Sequence, residues 1–87
     1  MDQPLGPDAD IIHDAPEPPY RQLAQILIAR IKRGDWAPDR PMSSETQLVQ
    51  EYELARSTVR RTIALLVENE WAYVVPRRGT YVKKRDS

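Results

Sequence analysis

The sequence predicts a mainly α domain of three helices closed by a small antiparallel β-hairpin. Three observations predict it. Apolar residues recur at helical spacing in three separate stretches, around Leu23, Leu48 and Ile63. After Glu70 the period changes from 3.6 to 2. A Pro76-Arg77-Arg78-Gly79 turn then divides the alternating segment in two. A chain of 87 residues has room for one such domain.

Residues 1–17 read as a disordered acidic tail. Pro4, Pro7 and Pro16 break any helix, and the segment is poor in apolar residues apart from Ile11 and Ile12. Residues 1–20 hold five acidic and no basic side chains, a charge of −5. The rest holds all thirteen Lys and Arg against eight acids, a charge of +5. The formal neutrality is therefore the sum of an acidic tail and a basic body. A basic body favours an anionic partner. A tail folded over it would compete weakly with that partner.

The first helix is expected from about Tyr20 to Arg33, entered through Pro18-Pro19 and ended by Gly34. Leu23, Leu27 and Ile31 keep its period, so it is mainly scaffold. Asp35 to Ser43 reads as a loop anchored by Trp36 and Met42. Ser44-Glu45-Thr46-Gln47 fits a capping box opening a short helix to Tyr52. Glu53-Leu54-Ala55 turns into a third helix, Arg56 to Glu70, though Ala55 is a poor N-cap. Val59, Ile63, Leu66 and Val67 form its buried stripe. Arg56, Ser57, Thr58, Arg60 and Arg61 crowd its N-terminal half, where the helix dipole itself calls for an anion. Two helices joined by a three-residue turn, the second basic at its start, make a helix-turn-helix. Trp71 to Val75 and Thr80 to Val82 form the strands of a hairpin behind it. With that wing the fold is a winged helix-turn-helix over residues 18–83, followed by a basic C-terminal end, 84–87.

This pattern points to double-stranded DNA. Arg56 and Arg60 are placed to divide base and phosphate work, and Ser57 and Thr58 to fix register. Arg77, Arg78 and Gly79 at the wing tip suit an adjacent groove or phosphates, and Lys83 and Lys84 add backbone attraction. Enzyme classes find no support: there are no paired carboxylates, nucleophile elbow or phosphate loop. No Cys and the single His13 leave no residue set for a zinc site, so no cofactor is expected. No apolar run approaches membrane-spanning length and the acidic start is unlike a signal peptide, so a cytoplasmic protein is the default. The rivals are a winged-helix module that docks another protein and a single-strand binder. The second needs exposed aromatic platforms, whereas the aromatics here fall at core-like positions.

From about Pro19 to Val82 the sequence resembles the DNA-binding domain of the GntR family of bacterial transcription regulators. The resemblance rests on Pro19-Tyr20-x-Gln22-Leu23, Gly34-Asp35 and Ser44-Glu45 with Leu48. It continues with Arg56-Ser57-Thr58-Val59-Arg60, Ile63, Leu66 and Gly79-Thr80-Tyr81-Val82. It implies that Ser44 and Glu45 open the second helix near the DNA backbone. It also implies that Arg56, Thr58 and Arg60 contact an operator, that Gly79 sits at a minor-groove wing tip, and that the regulator is most often a repressor. This chain departs from the family at four positions. Thr46 stands where the family usually has a DNA-contacting Arg, Ala55 replaces a Ser, and Glu70 and Arg77 replace glycines. Family members usually carry a further domain for a small metabolite. Only five residues follow Val82 here, so no effector site is expected in this chain. It would be either a short regulator, to which Met1 leans, or an excised domain. One such module usually binds modestly, so a homodimer on a repeated or palindromic site is expected.

Overall fold

The computed structural model of the protein describes residues 5–85. It contains α1 (Pro19–Arg33), α2 (Glu45–Tyr52), α3 (Arg56–Glu68), β1 (Ala72–Val75) and β2 (Gly79–Val82). The three helices and the wing stand where the sequence predicts them, and α3 is two residues shorter than expected.

Local chemistry explains each boundary. Pro19 opens α1 at a position whose N–H has no helical partner to lose. Gly34 closes it in the left-handed conformation, with its N–H donating to the carbonyls of Arg30 and Ile31. Ser44 and Gln47 form the expected capping box on α2. Ser44 Oγ accepts from the Gln47 N–H at 3.1 Å, and Gln47 Oε1 accepts from the Ser44 N–H at 2.8 Å. Ala55 offers α3 no side-chain cap. At the other end of α3, Glu70 takes the left-handed conformation (φ 66°) that glycine would take without strain. Trp71 N–H still closes the turn on the Leu66 carbonyl at 2.8 Å.

The core lies between α1 and α3, with α2 and the hairpin at its edges. Leu23 and Leu27 from α1, Leu48 from α2, Val59 and Leu66 from α3 and Val82 from β2 are buried within it. Thr62 is fully buried too, and its hydroxyl donates to the Tyr20 carbonyl at 3.0 Å, tying α3 to the start of α1. The strands pair antiparallel with Ala72 opposite Val82 and Val75 opposite Gly79. The stretch expected as a plain loop adds an edge to β2. Asp39 and Met42 donate to the Val82 and Thr80 carbonyls, and Val82 donates to that of Arg40. Those bonds tie the wing to the loop between α1 and α2.

Residues 1–4 of the acidic tail lie outside the described residues. Residues 5–17 carry no helix or strand and are laid along α1. Gln22, 2% exposed, holds them. Its amide donates to the Ile12 and Glu17 carbonyls at 2.8 and 2.6 Å and accepts from the Ile12 N–H at 2.8 Å. Gln25 accepts from the Leu5 N–H, Asp8 pairs with Arg33 at 3.0 Å, and Ile11 packs on the core. None of these contacts reaches Arg56 or Arg60.

Candidate nucleic-acid interface

Helix α3 turns Val59, Ile63 and Leu66 inward and leaves Arg56, Ser57 and Arg60 outside. Arg56 and Arg60 stand one turn apart and converge on one carboxylate, Glu45, the first residue of α2. Arg56 Nη1 lies 2.7 Å from Glu45 Oε1, and Arg60 Nε lies 3.0 Å from both Glu45 oxygens. Arg56 Nη2 also donates to Thr46 Oγ1 at 3.3 Å. Hydrogen bonds from Arg56, then from Arg60, hold the Glu45 carboxyl below the usual carboxylate range. The guanidiniums remain accessible, with side-chain exposures of 46% for Arg56 and 67% for Arg60.

The wing tip lies on the same side. Ser44, Glu45, Arg60, Arg77, Gly79 and Thr80 line one open groove floored by Ile63 and Val75. Arg78 is exposed at the tip beside Arg77. Two guanidiniums, Arg60 and Arg77, line this open groove with one carboxylate, Glu45, which Arg56 reaches from the neighbouring turn of α3. Such a surface attracts a polyanion along its length, and its planar forks suit guanine edges and phosphate oxygens.

The remaining candidates divide. Ser57 is exposed on the first turn of α3, and Thr58 is half-buried with its carbonyl taken by Thr62. Arg61 belongs elsewhere. Its guanidinium lies 4.0 Å from the centre of the Tyr20 ring, back over the start of α1. One residue after Arg60 is about 100° further round the helix, so the two cannot share a face. Lys83 is also away from the groove. Its ammonium pairs with Glu70 at the end of α3, and its N–H donates to the Trp71 carbonyl. The four steps from Gly79 to Lys83 span about 13 Å of strand, so the hairpin carries its base away from its tip. Lys84 is exposed at that base. Arg85 lies 3.8 Å from the Trp71 ring centre and donates to the Asn69 and Glu70 carbonyls, capping α3.

Reading the sequence missed the Glu45 clasp. Glu45 is eleven residues from Arg56 and fifteen from Arg60, a separation with no local period to betray it. The exposed Val74 on β1 was missed as well, since strict alternation does not say which strand face is covered.

A family model described as bacterial regulatory proteins, gntR family, matches residues 19–82. The chain is 35% identical over 75 residues to the HTH-type transcriptional repressor NagR of Bacillus subtilis, covering 86% of this chain and 31% of that protein. It is 32% identical to the AraR DNA-binding domain crystallised in complex with operator ORE1, with a TM-score of 0.74 over 76% of this chain and 80% of that one. YtrA from Sulfolobus acidocaldarius, a GntR-family transcription factor, superposes with a TM-score of 0.78 at 26% identity, covering 88% of this chain and 81% of the other. The chain thus spans about a third or less of the curated repressors it matches.

Proposed function

The chain belongs to the GntR family of bacterial regulatory proteins, and from that membership we propose that it binds duplex DNA sequence-specifically and represses transcription by occupying a promoter. One observation carries the reading: Arg60 of α3 and Arg77 of the wing tip line the same groove. The N-terminal half of α3 enters the major groove, where Arg56 and Arg60 exchange Glu45 for base edges and phosphates. Ser44, Thr46, Ser57 and Thr58 fix register, and Arg77, Arg78 and Gly79 approach the flanking minor groove. Lys84 adds general attraction. Lys83 and Arg61 act through the protein instead, at the end of α3 and on Tyr20.

The reading treats residues 18–83 as the binding unit and assigns the chain no catalytic step. The DNA-bound AraR domain, similar in sequence and in fold, supports the duplex as partner. The relative named a repressor supports the sign of regulation. A single module of this kind covers about 600–1,000 Å² of its own surface on DNA, so two copies on a symmetric site are expected.

The test is selection of duplexes from a random pool, followed by binding of the selected site and of random DNA. A preferred, two-fold symmetric motif is expected, with Arg60→Ala weakening its binding by about 1–3 kcal/mol and flattening the preference. Equal affinity for selected and random duplexes would sink the proposal.

A further inference from the structure

Among the described residues, four that are not glycine adopt positive φ: Asp39 (62°), Glu53 (53°), Glu70 (66°) and Arg77 (67°). In that conformation the Cβ crowds the following carbonyl. Asp39 and Glu70 recover something through their side chains, which accept from the Tyr73 hydroxyl and pair with Lys83. Arg77 makes no side-chain hydrogen bond or ion pair among the described residues and is exposed. It occupies the third position of the turn Val75–Arg78, closed by the Arg78 N–H on the Val75 carbonyl at 3.0 Å. With Pro76 at the second position this is a type II turn, whose third position asks for glycine.

A long cation held where glycine would be relaxed, and pairing with none of the described residues, is open to a partner outside the protein. Position identifies the partner. Arg77 shares the groove with Arg60, so a duplex seated on α3 by its major groove carries the neighbouring minor groove past the wing tip. That groove is narrowest and most negative over A·T runs, and a weakly hydrated guanidinium enters it more readily than an ammonium. Resting on the proposed DNA-binding function, we infer that Arg77 is a specificity residue that reads an A·T-rich minor groove beside the core site.

The test compares the full 87-residue chain with R77G and R77K by selection from random duplexes, together with melting of each protein. The natural chain selects an A·T-rich block about half a helical turn from its core motif, and changing that block to G·C weakens binding about fivefold to tenfold. R77G keeps the core motif, loses the block and melts at a higher temperature, because glycine relieves the turn. R77K, with the same charge and the same backbone, retains a weaker block. A core motif with no flanking preference in the natural chain overturns this inference alone, as does an unchanged block in R77G. Absence of any core motif overturns the parent reading as well.

Discussion

Replacing Glu45 with glutamine is expected to tighten binding to random duplex DNA while lowering its preference for the selected site. Arg56 and Arg60 both spend a guanidinium on the Glu45 carboxylate, at 2.7 and 3.0 Å. A phosphate must displace that carboxylate or share the cations with it, against its charge. Glutamine keeps the shape and one acceptor and removes the charge. Exposures of 29%, 46% and 67% for Glu45, Arg56 and Arg60 place both pairs among solvent-screened ones. Such pairs are worth about 0.2–1 kcal/mol each, so releasing two lowers the barrier to non-specific contact by up to about 2 kcal/mol, roughly two- to thirtyfold in affinity. Folding stability falls by no more than that. Fluorescence anisotropy on a random-sequence duplex across a salt series measures the effect. The slope of log affinity against log salt should steepen by about 0.9 for each phosphate newly engaged. Unchanged or weaker random-DNA binding at an unchanged slope would refute the reasoning. It would mean that Glu45 keeps its grip on both arginines when DNA is bound and acts only to aim them.

Ala55→Ser supplies α3 with the side-chain cap it lacks and should stabilise the protein by about 1 kcal/mol, a rise of roughly 4–8 °C in melting temperature. Gln22→Ala removes three hydrogen bonds to the Ile12 and Glu17 backbone and should destabilise by about 1–3 kcal/mol; faster amide exchange at Ile12 and protease cleavage within residues 5–17 would show the strap released. Asp35 is held well below the usual carboxylate range by hydrogen bonds from Arg33, then from Arg30. A depressed folded value means that its stabilisation is complete above the ordinary 3.8 and is lost as pH falls below it. Asp35→Asn should therefore flatten the acid limb of a stability–pH curve and leave its slope near neutrality unchanged.

Much of this molecule is legible in local sequence. The period of Leu23, Leu27 and Ile31, the capping box at Ser44 and the Pro-Arg-Arg-Gly turn each specify a local structure through contacts within a few residues. The first two stand in the structure as read, and the turn closes one residue earlier, over Val75–Arg78, with Gly79 opening β2. The strap over α1 was not legible, because Gln22 holds backbone atoms and a backbone acceptor leaves no mark in the choice of side chain. The left-handed turns at Glu70 and Arg77 were legible only as places where a glycine was missing.

Which residues share the groove was a different matter. Sequence alone determined that α3 begins with arginines and that the hairpin tip carries two more, since both follow from periodicity and turn chemistry. Only the packing of α2 and α3 decided that Glu45 stands between Arg56 and Arg60. Only the register of the hairpin decided that Arg77 joins them while Lys83 is carried off to the far end of the helix. Helix crossing and strand register are fixed by how apolar side chains from distant parts of the chain interlock, and charge neighbours follow from that interlocking.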